Sequence, residues 1–578
     1  MPLSRQNIFP GVLHDAWHRE MQKFVDGNVV ERLWKKDFSL WPVEEHELQS
    51  IKNNLRWLDL PSQVEPYTAK VLEVTEALQN EGLDHIVFVA MGSSNLAAAA
   101  VLEMTEAKLD KKLFLLDSTD PDALQELESR LPFERTLFVF SNKSGKRIET
   151  HTLFLYLLLK VKAASGLSPG RHFIALTEEG SYLQSLAREY KFRDTFFDPP
   201  GISGRYSGLI HFSLLLTATG HAQRASIVDS INAAREACGP SAPLERNPAM
   251  ALASFLAAGE LHGKNRLVLL TPGPLNYFAY RLAQVVGTST SSAGRGLFTV
   301  FAQPSYAPEI LQRKCLVAIL RMNGHALEQP GQAQQLRDMN IPVVEIELQG
   351  PVDFAAEIFK WELATALACV PLGLNPFHGQ DVQSHLGLPA KLLDDIAEKR
   401  TSRLAMRRAK EEGVGLYAEG KTRRQVSSLN LVEGLRTFLE LRNSDSYIAI
   451  LPFFKPTPSH IQALQFLRDR MRHTLEMPVQ VSSGPRYVHA LGLMYKRGPA
   501  NGIFLVLTAE PAKDLSVPGA AYTFGELQLA LALNECETLE NAQKPVIRLH
   551  FALGAEKGLK QLTDVVIQAM ARIRKSAG

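Results

Sequence analysis

The stretch HIVFVAMGSSNLAAAA, residues 85–100, decides the fold class. A short apolar run, HIVFVAM (85–91), gives way to Gly92-Ser93-Ser94 and then to an alanine-rich segment. That is the pattern of a buried strand, a tight turn and a helix. KLFLLD (112–117), TLFVFS (136–141) and HFIALT (172–177) repeat it, each apolar run ending in small or polar residues before a helix. Strands alternating with helices at this spacing predict βαβ units and a parallel sheet. Ligands of such sheets bind beyond the carboxyl ends of the strands, where the polar residues gather here.

Downstream, RLVLLTP (266–272), GLFTVFA (296–302), CLVAILRM (315–322) and PVVEIEL (342–348) predict a second α/β unit. A third series comprises YIAILPF (447–453), PVQVSS (478–483), GIFLVLT (502–508) and VIRLHF (546–551). It either forms its own domain or completes the second sheet, and periodicity leaves both open. Upstream, residues 1–60 carry helical periodicity and Trp17, Trp34, Trp41 and Trp57, without a repeated strand pattern. The expected organisation is a helical N-terminal arm (1–64), a first α/β domain (65–235) and a second (236–400). A charged helical connection (401–445) and a C-terminal segment packing with the second domain (446–578) follow.

At 578 residues the chain exceeds what one hydrophobic core serves, which agrees with several domains. No apolar stretch reaches the roughly 18–20 residues that span a bilayer, so no membrane partner is expected. The start, MPLSRQNIFPGVLHDAWHREM, lacks an apolar core and a small-residue cleavage site, so no secretory signal is expected. Cys238, Cys315, Cys369 and Cys536 form no CxxC or metal-spaced set, which points to reduced thiols in a cytoplasm and to no metal. The net charge of +2 argues against nucleic acid. The one dense basic run, RLAMRRAKEEGVGLYAEGKTRR (403–424), reads as a solvated helix of mixed charge with a glycine break.

Candidate chemistry lies in the loops. Asn142-Lys143-Ser144-Gly145-Lys146-Arg147 links a strand ending at Ser141 to a helix from Ile148, with Glu149 and Thr150 in its first turn. Hydroxyls, backbone N–H groups and a helix N-terminus suit a phosphate. Lys146 and Arg147 oppose the helix dipole at that end, a conflict that an anion offsets. Gly201-Ile202-Ser203-Gly204-Arg205-Tyr206-Ser207 is a second glycine-bearing loop, and Arg205 suits a substrate oxygen or phosphate. His489, in GPRYVHALGLMYKRGP (484–499), follows a glycine–proline turn and suits a proton shuttle or a structural role. His378 and His385 flank no third ligand and read as a surface loop.

These loops, in this order, resemble the phosphoglucose isomerase family, and most of all the isomerase half of bacterial transaldolase–phosphoglucose isomerase fusions. The resemblance rests on RLWKKDFSLWP (32–42), NNLRWLDLP (53–61), AMGSSNLA (90–97), LDSTDP (116–121), SNKSGKRIET (141–150), HFIALTEEGS (172–181), GISGRYSGL (201–209), WELATALACVPLGLNPF (361–377) and GPRYVHALG (484–492). No stretch resembles the transaldolase half. The resemblance implies two sugar-isomerase (SIS) domains, each a parallel sheet flanked by helices, commonly paired in a homodimer. It implies metal-free, cofactor-free interconversion of glucose 6-phosphate and fructose 6-phosphate, and a separately encoded transaldolase as a partner by analogy.

Carried over residue by residue, it assigns substrate or phosphate binding to Gly92, Ser93, Ser94, Asn142, Lys143, Ser144, Arg147, Thr150 and Gly204. It assigns the enediolate-steadying cation to Arg205 and ring opening to His489, both retained. The proton-transfer glutamate of the family pattern E-S-x-G-K-x-G-K-G falls on Thr288, in Thr288-Ser289-Thr290-Ser291-Ser292-Ala293-Gly294-Arg295-Gly296. In F-D-Q-x-x-V-x-x-x-K the glutamine falls on Gly379, beside Gln380, and the lysine on Leu386. A threonine hydroxyl is no base near pH 7, so the expectation is a sugar-phosphate-binding protein with reduced, altered or lost isomerase activity. The alternative is an active isomerase with a relocated base at Glu149, Asp381 or His378.

Overall fold

The computed structural model describes residues 4–105, 112–143, 147–165, 168–220, 224–303, 308–325, 327, 329, 331–378, 407–411, 413–427 and 430–577. It divides into two compact units. Met1–Leu115, Glu134–Gly145 and Gly170–Gln383 make one; Leu116–Phe133, Lys146–Pro169 and Ser384–Gly578 make the other.

The first unit holds β1 (Arg5–Phe9) and a sheet of β2 (His85–Ala90), β3 (Lys112–Leu116), β4 (Thr136–Ser141), β5 (Phe173–Thr177) and β6 (Asp194–Phe197). Its order is β3-β2-β4-β5-β6, and β2, β4, β5 and β6 pair in parallel. Strand alternation divides β4 between two faces. Phe138 stacks on Phe173 and Phe140 packs against it at a tilt on one, while Leu137 and Val139 face the helices Val64–Asn80 and Gly208–Ala218. A second sheet contains β7 (Arg266–Leu270), β8 (Phe298–Gln303), β9 (Cys315–Met322) and β10 (Val343–Leu348), in the order β1-β10-β9-β7-β8. The helices Ser93–Thr105, Gly208–Ala218, Asn276–Thr290 and Asp353–Leu372 pack on one another as the unit's core. Two tryptophans of the N-terminal arm donate from their indole nitrogens to this body, Trp17 to the Ala251 carbonyl and Trp41 to that of Ala366, each at 3.0 Å.

Three expectations need correction. The N-terminal arm is not wholly helical: β1 adds antiparallel to β10 at the edge of the second sheet. Its alternating exposed and half-covered residues leave no apolar run to read. The charged connection is not a solvated helix. It holds β11 (Arg407–Glu411) and β12 (Val414–Tyr417), a hairpin turned at Gly413, before short helices. β11 is an edge strand, where charge prevents further pairing and hides it from a hydrophobicity pattern, and β12 is only four residues long.

The C-terminal stretch does not complete the second sheet. With β13 (Tyr447–Pro452), β14 (Val479–Val481), β15 (Gly502–Ala509) and β16 (Val546–Phe551) it builds a separate sheet, ordered β11-β12-β16-β15-β13-β14. That sheet has its own core, with Leu416, Phe438, Ile448, Leu505, Leu549 and Val566 among its fully or nearly fully buried residues. This second unit also takes the helices Pro121–Glu128 and Ile148–Ser165. Tyr156 of the latter meets Phe524 edge-on with ring centres 5.2 Å apart. Among the described residues no helix is long and apolar enough to cross a membrane.

Candidate functional site

In the first unit the loops at the carboxyl ends of β2, β4 and β6 converge. Gly92 has φ +84°, a conformation open to glycine, and it turns β2 into the helix Ser93–Thr105. Ser141 Oγ donates to Ser94 Oγ at 2.9 Å, tying the ends of β4 and β2. Gly204 comes so close that a Cβ there would stand 3.0 Å from Ser93 Oγ. Asn142 sits beside β5, its N–H donating to the Leu176 carbonyl and its carbonyl accepting from Thr177 Oγ1.

Arg205 is buried and donates from Nη1 to the Thr288 carbonyl at 3.1 Å and from Nη2 to that of His378 at 2.6 Å. It therefore joins its loop to the end of the helix Asn276–Thr290 and to the turn after the helix Asp353–Leu372. Thr288 is also buried, and its hydroxyl donates to the Gln284 carbonyl at 2.5 Å within its own helix. His378 is not on an exposed loop, as read from sequence. It is buried, with Nδ1 2.6 Å from the Asn375 carbonyl and Nε2 2.5 Å from that of Ser291. Gly296 closes the same region, for a Cβ there would come within 2.3 Å of the Thr290 carbonyl oxygen.

Lys143 is held among acids. Its Nζ donates to the Ile202 carbonyl at 2.6 Å and stands 3.8 Å from Glu178 and 4.0 Å from Asp198. Burial pushes the Asp198 carboxyl up, but the Lys143 cation and the His211 ring beside it outweigh burial and hold it down at about 2. A depressed carboxyl stabilises the fold above its unfolded value, and that contribution is lost as pH falls through the folded value; here it is worth about 2 kcal/mol. Urea midpoints at pH 5 and pH 2.5 should therefore fall further for the wild type than for Asp198→Asn. Parallel falls would show that Lys143 does not stabilise this carboxylate.

The second unit holds a different cluster. Glu149 lies in the first turn of the helix Ile148–Ser165, an end that favours a carboxylate. His489 ends the short turn Arg486–His489, which follows the cis peptide Gly484–Pro485. The two side chains are buried, with His489 Nε2 2.7 Å from Glu149 Oε1. Burial and the Arg147 cation hold the imidazole below its ordinary value, so near neutral pH it is uncharged and donates through Nε2. Burial would raise Glu149, but the histidine N–H and Arg147 bring it below the usual carboxylate range. A neutral imidazole oriented by a carboxylate is equipped to give and take a proton. Nearby, Arg486 Nη1 pairs with Asp117 at 2.7 Å and Lys496 Nζ with Glu535 at 2.7 Å.

Of the residues singled out from sequence, Gly92, Ser93, Ser94, Asn142, Lys143, Gly204, Arg205 and Thr288 fall in the first unit. Arg147, Thr150 and His489 fall in the second. Ser144, Gly379 and Leu386 lie outside the described residues, as do Gly145, Lys146, Gln380, Asp381 and His385. Sequence reasoning missed the pairing of Glu149 with His489, the Asp198–His211 contact and the fully buried Arg281–Glu362 pair. A charged residue inside an otherwise apolar helix was the available signal for His211 and Glu362.

Parallel sheets flanked by helices define an α/β protein, with polar loops at strand ends in the first unit and a buried histidine–carboxylate pair in the second. No protein-family profile matches the chain. Its curated relatives are glucose-6-phosphate isomerases, and the chain resembles that family. One from Desulfitobacterium hafniense (strain Y51) is 29% identical over 269 residues, 45% of this chain and 48% of the relative. One from Carboxydothermus hydrogenoformans is 28% identical over 289 residues, 48% of this chain and 61% of the relative. The chain thus spans about half the length of the first of these, at 48%, and somewhat more of the second. Among solved structures, a hypothetical protein from Thermus thermophilus superposes with a TM-score of 0.55 at 19% identity, covering 69% of this chain and 100% of that one. This shows a shared fold.

Proposed function

We propose that the chain binds hexose phosphates on an isomerase-type frame and has lost or changed the isomerisation step. The observation that carries this is Thr288, at the position of the family's proton-moving glutamate. A hydroxyl committed to the Gln284 carbonyl cannot shuttle a proton between neighbouring carbons. The relatives' printed name, glucose-6-phosphate isomerase, supports a phosphosugar as the ligand class. In the second unit the anion-suited residues are Arg147 and Thr150.

Thermal unfolding with fructose 6-phosphate, against fructose and inorganic phosphate, tests the binding. A ligand at a hundredfold excess over its Kd stabilises by about 2.7 kcal/mol. The melting temperature should rise with the phosphosugar and barely with fructose, and Arg147→Ala should reduce the rise. No shift specific to the phosphosugar would sink the proposal.

One observation favours a second reading, an active isomerase with a relocated base. Glu149 is a buried carboxylate held ionised beside His489. Turnover measurements decide between the two.

A further inference from the structure

The first unit has a half-open cavity of about 110 Å³, and none of the residues lining it is among the ligand-binding residues singled out from sequence. Val74 and Leu78 of the helix Val64–Asn80 form one wall, Phe88 of β2 and Val139 of β4 form the floor, and His211 and Leu214 of the helix Gly208–Ala218 form the other wall. The lining is almost wholly apolar, so water gains little there.

The exception in the wall is His211. It is 2% exposed, and neither ring nitrogen makes a hydrogen bond among the described residues. Nε2 lies 3.4 Å from Asp198 Oδ1, and both Asp198 oxygens likewise lack a hydrogen-bond partner. A buried imidazole that makes no hydrogen bond costs roughly 1–3 kcal/mol, which a bound molecule with one polar atom would recover. An anionic molecule would lose its own hydration in an apolar space. A neutral hydroxyl avoids that penalty and can donate or accept, whichever tautomer His211 adopts.

From the cavity, its apolar wall and this imidazole, we infer that the unit has a second ligand site, for a small neutral molecule with an apolar, one-ring body and one hydroxyl. It stands apart from the hexose-phosphate proposal, because a sugar phosphate has neither the apolar body nor the charge that this space accepts.

Calorimetry and thermal unfolding of the full chain with p-cresol and with toluene test the inference, since the two probes share a shape and differ in one hydroxyl. Both should bind, and p-cresol should bind about five- to tenfold more tightly, the gain expected of one neutral hydrogen bond. His211→Leu should remove the difference and keep toluene binding. Ala218→Leu and Val139→Phe, which place extra carbons in the cavity, should weaken both probes. If one of these two variants folds poorly the other still reports. Failure of both probes to bind the wild-type chain would overturn the inference. So would equal affinity for the two probes, or a preference for p-cresol that survives His211→Leu.

Discussion

Highly purified chain should convert fructose 6-phosphate to glucose 6-phosphate at least about 10²–10⁴-fold more slowly than an isomerase with its full proton-moving set, the loss typical of one missing general base. The step to be catalysed moves a proton between neighbouring carbons, and it needs a group that is ionised, placed within about 3 Å and free to change partners. Thr288 fails on the first and last counts, since its hydroxyl is neutral and donates to Gln284. Residues that act as one constellation do not add, so restoring a single carboxylate at position 288 is not expected to restore turnover. A coupled assay checks this, with Arg205→Ala and His489→Ala alongside to exclude carried-over host enzyme. Turnover that both substitutions abolish would overturn the proposal. Glu149→Gln would then be the decisive variant, because it keeps the shape beside His489 and removes the negative charge.

The strands that carry an apolar run were legible almost to the residue. TLFVFS, CLVAILRM and VIRLHF are β4, β9 and β16 as they stand. The strands that were missed lie at sheet edges or, like β12, are only four residues long. β1 and β11 are edge strands that tolerate charge, and β6, Asp194–Phe197, is four residues long. The allocation of the helices Pro121–Glu128 and Ile148–Ser165 was hidden for another reason. Alternation assigns a helix to the strands that flank it, whereas these two belong to the compact unit built around the C-terminal sheet. Long-range contacts explain it: just before the first of these helices Thr119 Oγ1 donates to Gln528 at 2.6 Å and the Lys455 N–H donates to Asp120 at 3.1 Å, and Tyr156 of the second packs on Phe524.

The site was legible as residue types and illegible as pairs. His489 and Arg205 stand in glycine-bearing loops that a motif can flag. The partner of His489 is 340 residues away in sequence, and no local pattern encodes that distance. Arg205 reads from sequence as a cation for a substrate oxygen or phosphate, and in the fold it also donates to two backbone carbonyls. Its role as a clamp depends on where the chain places Thr288 and His378, which composition and spacing do not contain.

Arg281→Met should be among the most destabilising substitutions in the first unit, and its cost should grow with pH. Arg281 and Glu362 are fully buried, with Nη2 3.1 Å from Oε1. Nη1 also donates to Gln284 at 2.9 Å and Nη2 to the Arg205 carbonyl at 2.8 Å, while Glu362 accepts from the Gly208 N–H at 3.2 Å. Burial outweighs the arginine and pushes the Glu362 carboxyl up to about 8. Between its unfolded value, near 4.5, and about 8 the folded chain therefore holds a proton that the unfolded chain has released, so this group's contribution to stability declines as pH rises through that window. At pH 9 the carboxylate is ionised, and removing its cation strands a buried charge at about 3–5 kcal/mol. At pH 6 the carboxyl is neutral, and the loss reduces to hydrogen bonds worth about 1–3 kcal/mol. Urea midpoints at the two pH values measure the difference, and a cost independent of pH would refute the assignment to Glu362. In Arg281→Met/Glu362→Leu, apolar groups replace the pair, and most of the stability lost at pH 9 should return. The carbonyls of Gly204 and Arg205 would still lack their donor, so this double variant should remain impaired in phosphosugar binding even where its stability recovers.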